Sequence, residues 1–257
     1  HSYLNSLETA LEALERDKLR KTDYDEAIAG RTGIDCFDHW CDELKETGYL
    51  HNHARMWFAS IWIFTLRLPW ELGADFFLNH LIDGDAAANT LSWRWIGGLH
   101  TKGKSYLARP SNIAQFTDGR FDPVGQLSPT AEPLIEDKDH PYVPLSLAQP
   151  MPQDEYVLLI TSEDCQPEFF TTGAQIGVLG LLSATDPKQG TQVRAFEKGA
   201  VQDAISRSGQ TLATVSTTQD WGTALIEAAR KAGTNQISTP WAAIGPIATQ
   251  LDATKAA

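Results

Sequence analysis

Cysteine is nearly missing from this sequence. The three present, Cys36, Cys41 and Cys165, are odd in number and irregular in spacing. That excludes a disulfide-held fold and points to a reducing compartment, the cytoplasm. Long apolar runs are missing too. The most apolar stretch, Met56 to Leu66, is only about half of the roughly 20 residues that cross a bilayer. Arg67 and Pro69 end it, so it reads as a buried helix and no membrane partner is expected. No secretory signal is legible. Positive charge is also short: 21 Lys and Arg against 33 Asp and Glu leave a net charge of −12. Residues 1–130 carry 13 basic and 18 acidic residues, and residues 131–257 carry 8 and 15. Neither half has the basic excess of a nonspecific nucleic-acid binder. One stretch departs from this. Between Trp93 and Arg120 lie Arg94, Lys102, Lys104, Arg109 and Arg120 against the single acid Asp118, with His100 and Tyr106 among them. It reads either as a phosphate-contacting rim or as an ordinary solvated surface.

The remainder is ordinary globular protein, 42% hydrophobic and 21% charged, long enough for one large or two ordinary domains. It opens on His1 inside a helical apolar pattern (Leu4, Leu7, Leu11, Leu14), which reads as a fragment or processed product with part of any ligand site upstream. Spacing predicts helices over about 3–16, 34–47, 52–68, 71–82 and 84–97, punctuated by Gly33, Gly48, Pro69 and Gly97-Gly98. From 109 to 153 eight prolines predict an extended connection. After it, short β-branched runs at 156–161, 175–182, 211–216 and 235–239 alternate with helical patterns at 193–206, 220–232 and 242–254. That alternation predicts a parallel sheet. The expected architecture is α then α/β: a helical domain over 1–130, a proline-rich linker over 131–153, and a small parallel α/β domain over 154–257.

Asp85, Asn89 and Trp93 are spaced four apart, which stacks a carboxylate, an amide and an indole on one helix stripe. Three alanines between Asp85 and Asn89 keep the surface low. The stripe is too polar for a core and too aromatic for a solvent face, and it suits a flat heteroaromatic ligand. Asn52 and Arg55 also share a helix face, and Asp83 is the partner expected for a two-pronged Arg55 ion pair. Taken alone, such a pair is more often structural than ligand-binding. His39, His51, His53 and His80 lack zinc-motif spacing, so structural roles and no metal are expected. Trp57 and Trp62 are expected in the core.

Four segments carry a resemblance: Gly30-Arg-Thr-Gly33, Glu43-Leu-Lys-Glu-Thr-Gly-Tyr-Leu-His-Asn-His-Ala-Arg-Met56, Leu81-Ile-Asp-Gly-Asp-Ala-Ala-Ala-Asn89 and Trp93-Arg-Trp95. In this order they resemble the helical flavin-binding domain of the DNA photolyase/cryptochrome family. The resemblance implies FAD held between helices. It implies flavin contact for Asn52 and Arg55, flavin and ribityl neighbours in Asp83 and Asp85, and Asn89 facing the flavin N5. Trp93 and Trp70 would be the first two members of an electron-transfer chain. The region where the family has a third tryptophan offers Asp17 and Tyr24, with Trp62 or Trp40 as substitutes. Met56 and Trp95 match positions lining the damaged-base pocket. Two features depart from the family: its phosphate-gripping Ser/Thr segment is absent, and the α/β part follows the helical part instead of preceding it. The tail, Ala195-Phe-Glu-Lys-Gly-Ala200 and 228–246, loosely resembles the family's antenna domain, so an unidentified antenna chromophore is implied there. Gly177 and Gly180 do not form a dinucleotide fingerprint.

Three functions follow from the resemblance. The first is a photolyase-like lyase that repairs pyrimidine photolesions in damaged DNA. The second is a cryptochrome-like blue-light receptor acting on a signalling protein, slightly favoured by the acidic charge. The third is a redox flavoprotein without a role for light. FAD is expected to bind this chain weakly.

Overall fold

The computed structural model describes residues 2–137, 139–145, 147–170, 174–183 and 188–255. It divides into two compact units, His1–Asp139 and His140–Ala257. Among the described residues the first unit is all helix: α1 (Ser2–Arg16), α2 (Lys18–Ala29), α3 (Asp35–Thr47), α4 (Asn52–Ser60), α5 (Trp70–His80), α6 (Ala86–Gly97) and α7 (Pro110–Phe116). The second holds strands β1 (Tyr156–Ile160), β2 (Gln175–Ser183), β3 (Ala213–Thr218) and β4 (Ile237–Ser238), with helices α8 (Thr191–Arg207), α9 (Trp221–Ala232) and α10 (Pro246–Lys255). The expected order of helical and α/β parts is therefore observed.

Local chemistry sets the helix ends. Asp17, Asp85 and Asp220 each cap a helix by accepting from a backbone N–H three residues on, at 3.1, 2.6 and 2.9 Å. Gly30, Gly48, Gly98 and Gly233 close helices in the left-handed conformation that a side chain would oppose. The axis of the first unit is α4 with the turn that continues it, where every residue from Trp57 to Phe64 is buried. It ends in a wide π turn over Ile61–Thr65, where Leu66 N–H donates to Ile61 O at 2.9 Å instead of one residue nearer. The single helix expected over 52–68 is thus two segments, stopped by Arg67 and Pro69. Aromatic rings fill the space around it: Phe37 stacks on Phe58 at 4.1 Å, and Trp40 on Trp57 at 5.5 Å.

Two helices were not legible. α2 carries no apolar stripe, and Ala27 is its one buried residue. α7 starts at Pro110, which fits a first helical position because its missing N–H is not needed there. The front of the expected linker also folds onto the helices. Leu134 N–H donates to Gly97 O at 2.9 Å, and Glu136 pairs with Arg94 at 2.6 Å.

In the second unit the strands run parallel in the order β3-β2-β1-β4. Such a sheet must bury both faces. Tyr156, Leu158, Ile160 and Val178 pack with Val201, Ala204 and Ile205 of α8. Val157, Leu159, Leu179 and Leu181 pack with Trp221 of α9 and with Ile247 and Leu251 of α10. The expected strands and helices of this part fall within a few residues of those observed. Among the described residues, no helix is long and apolar enough to cross a membrane.

Candidate functional site

The first turn of α4, the turn between α5 and α6, and one face of α6 enclose a cavity of about 480 Å3. That is within the size range of small-molecule sites. Asn52, Arg55, Met56, Asp83, Asp85, Asn89, Trp93 and Trp95 all line it. Residues 37 positions apart in sequence are joined here by packing of α4 against α6.

Arg55 is held from several sides. Its Nε donates to Leu50 O at 2.8 Å, and one terminal nitrogen donates to both carboxylate oxygens of Asp83 at 3.0 and 2.9 Å. Its guanidinium also lies over the Tyr49 ring at 5.4 Å. The expected partner is present, but the pairing differs from a two-pronged fork because Nε is spent on the backbone. The turn carrying Asp83 is fixed in turn by Ile82 N–H donating to Gly48 O at 2.9 Å.

Asp85 caps α6 and so faces the cavity from the helix N-terminus. One turn on, the Asn89 amide nitrogen donates to Ala74 O of α5 at 2.8 Å. This aims the side chain and leaves its carbonyl oxygen free to accept. Trp93 follows, 1% exposed, and its indole N–H is buried without a partner. A donor left unpaired in a buried place is costly and calls for an explanation. Ala59, Phe77, Leu81 and Ile96 give the cavity an apolar lining. Apolar walls and a free acceptor fit a planar ring with a hydrogen-bonding edge. At the mouth, Trp95 remains 40% exposed and stacks on Tyr106 at 5.7 Å.

Trp70 is apart from these residues. It lines a second cavity of about 550 Å3, together with Arg20, Arg67 and Glu71. Its ring meets Tyr3 at 5.7 Å, and Arg94 lies over it at 5.7 Å. None of the five Lys and Arg residues of the basic stretch lines the first cavity. Arg94 is turned to Glu136 and Trp70, while Arg120 reaches His39 Nε2 at 3.0 Å. From that stretch His100, read with it as part of a phosphate-contacting rim or an ordinary surface, reaches the cavity. Sequence reasoning passed over Phe77, Leu91, Ser92 and Ile96. Their signal was helical spacing, since Leu91 lies one turn from Trp95 and Ser92 one turn from Ile96.

The expected structural histidines are engaged in the fold. His51 Nδ1 accepts from His53 N–H at 3.2 Å, and burial pushes the His80 imidazole pKa down while its Nδ1 meets Phe76 O at 2.8 Å. Among the described residues no group of three His, Cys, Asp or Glu is arranged to hold a metal. Trp57 and Trp62 are core residues, 3% and 0% exposed.

Residues 3–143 match the family described as the FAD binding domain of DNA photolyase. The chain is similar to a deoxyribodipyrimidine photo-lyase of Streptomyces griseus, 42% identical over 110 residues, which are 41% of this chain and 23% of that one. It is similar to the deoxyribodipyrimidine photo-lyase of Vibrio cholerae, 35% identical over 96 residues, 37% of this chain and 20% of that one. Cryptochrome-1 of Arabidopsis thaliana is 35% identical over 97 residues, 38% of this chain and 14% of its own length. The chain thus matches less than a quarter of the length of these curated relatives. No solved structure matches it.

Proposed function

Since the chain belongs to the photolyase/cryptochrome family, through an FAD-binding domain matched over residues 3–143, we propose that the cavity between α4 and α6 holds FAD for light-driven electron transfer, and that its activity is the cleavage of pyrimidine photolesions in DNA, a carbon–carbon lyase reaction. FAD, when bound, supplies light absorption and one-electron chemistry. The protein supplies position and electrostatics. Arg55, braced by Asp83, and Asn52 orient the cofactor from α4. Asp85 accepts from its hydroxyl groups. Asn89 presents a carbonyl to the ring edge, and Trp93 closes the wall beside it. A neutral amide at Asn89 matters because a carboxylate there would oppose negative charge on the reduced ring. Met56 and Trp95 would hold the flipped lesion at the mouth, and Trp93 and Trp70 would carry electrons during photoreduction.

The single observation behind this reading is convergence: Asn52, Arg55, Asp83, Asp85, Asn89 and Trp93 line one cavity. Its test is a visible spectrum of the FAD-loaded protein followed by a lesion-repair assay under blue light. Flavin photoreduction together with repair supports the reading. Failure to take up FAD refutes it.

The second reading, a blue-light receptor without repair activity, is favoured by the net charge of −12 and by a cavity lining that holds none of the five Lys and Arg residues between Trp93 and Arg120. Comparison of affinity for lesion-bearing and intact DNA separates the two. Photoreduction without preference for the lesion selects the receptor. An antenna chromophore in the α/β unit belongs to either reading. A second absorbing species in the spectrum would reveal it.

A further inference from the structure

The sheet of the second unit has two edges, and they are unlike. β4 is two residues long and offers little backbone to a further strand. β3 runs for six residues, Ala213–Thr218, with an unbroken parallel register on β2. Val178 N–H donates to Leu212 O at 2.8 Å. Backbone groups alternate in direction along a strand. Leu212, Thr214 and Ser216 therefore turn theirs to β2, while Ala213, Val215 and Thr217 turn theirs outward. Among the described residues no hydrogen bond reaches those outward N–H and C=O groups. Ala213, Thr214 and Thr217 are also exposed.

Strand edges in natural proteins are blunted by lysine, proline, a bulge or an inward charge. β3 has none of these: it reads Ala-Thr-Val-Ser-Thr-Thr. Its β-branched residues suit a paired strand. We infer that β3 is the docking edge for β3 of a second copy of this chain, paired antiparallel about a two-fold axis at Val215. Val215 then meets Val215 of the second copy, Ala213 meets Thr217 of the second copy, and Thr214 meets its Ser216. The outward N–H and C=O groups of Ala213, Val215 and Thr217 are all satisfied in this register. Two four-stranded sheets become one of eight.

Charge and register favour a second copy as the occupant. Residues 131–257 carry 8 basic and 15 acidic residues, so two copies repel at most angles of approach. From Ser208 to Gln219, however, no residue is charged. The first charge beyond, Asp220, falls opposite Gln210 of the second copy and not opposite another carboxylate. Both Asp220 carboxylate oxygens are already engaged by Thr223, at 2.9 and 2.7 Å. On either side of the axis Thr214 pairs with Ser216 on one face, a cross-strand hydroxyl pairing that stabilises sheets. A two-fold contact between identical patches closes on itself, so assembly stops at a dimer.

The test is the mass of the full chain in solution, measured by sedimentation at several concentrations. A dimer is expected. Thr217→Pro removes an outward N–H and spares the ladder to β2, and it should raise the dissociation constant at least about tenfold. The double variant Ala213→Cys with Thr217→Cys should cross-link copies under mild oxidation, relative to wild type. Its paired residues would lie about 5.5 Å apart, within disulfide reach. Along one strand the same two positions are about 13 Å apart and cannot join. Neither single cysteine variant should link, and a link in either overturns the register. A monomer at every concentration overturns the inference and leaves the edge to a strand of another protein. A dimer that Thr217→Pro leaves intact, or that the double variant fails to link, overturns β3 as the interface. Should Thr217→Pro fail to fold, the cross-link decides alone, since both cysteines replace exposed side chains.

Discussion

Gly73 on α5 and Trp93 on α6 compete for the same space: a Cβ on Gly73 would lie 2.3 Å from the indole Cη2. That absent side chain allows α5 to approach Trp93 and seats the indole against the cavity. Alanine in place of glycine raises helix propensity by about 1 kcal/mol. Overpacking a core typically costs about 1–3 kcal/mol. Gly73→Ala is therefore expected to destabilise the helical unit by roughly 1 kcal/mol and to change the near-ultraviolet circular dichroism of tryptophan. Chemical denaturation checks this. A variant of wild-type stability and spectrum would mean that the indole has room to yield.

The Arg55–Asp83 pair separates stability from binding. Their side chains are 25% and 52% exposed. A pair so open to solvent contributes less than about 1 kcal/mol to folding. Asp83→Asn should accordingly leave the melting temperature almost unchanged. FAD affinity should fall about tenfold, roughly 1.4 kcal/mol. Titration of FAD by fluorescence measures the second effect. The reverse outcome, lower stability at equal affinity, would make the pair purely structural.

Asn89→Asp replaces an amide donor with a carboxylate facing the Ala74 carbonyl, where Asn89 now donates at 2.8 Å. Two acceptors then oppose each other, and negative charge enters the cavity wall. The reduced flavin state that accumulates under illumination should change from anionic toward protonated. Identical photoreduction spectra in both proteins would remove Asn89 from its assigned role.

Ser60 is 1% exposed, and its hydroxyl accepts the Ala108 N–H at 2.8 Å. Ser60→Ala strands that buried donor, at a cost of about 1–3 kcal/mol. The denaturation midpoint should fall without any change in the second unit's signal.

In the α/β unit, burial raises the Glu197 pKa against the opposing effect of hydrogen bonds from Gln189 and Ser162. The folded state holds this proton more tightly than the unfolded one. Its stabilising contribution is full below the unfolded carboxyl value of about 4.3 and is lost as pH rises through the folded value. Glu197→Gln should flatten the loss of stability with pH over that window. Parallel pH–stability curves would show that Glu197 ionises as freely when folded as when unfolded.

Legibility followed physical signal. Helices with a stripe of like or interacting residues on one face, such as α3 and α6, were readable because helical spacing is local. α2 was invisible because it buries almost nothing, and α7 because its opening proline was read as a breaker rather than as a first helical residue. The parallel sheet was readable from short apolar runs between helices, but β4 proved only two residues long. Among the site residues, the polar set on α4 and α6 could be named in advance, whereas Leu91 and Ser92 could not.

By itself, the sequence determined which side chains share a face: Asn52 with Arg55, and Asp85 with Asn89 and Trp93. It also determined the order of the helical and α/β parts. Only the tertiary structure decided what each face meets. It turned Arg94 toward Trp70 and away from the cavity, spent half of the Asn89 amide on Ala74, and gave Trp93 the ring of Trp62 as its neighbour. Periodicity along a chain sets direction around a helix axis, while the partner across the gap depends on how helices distant in sequence pack together.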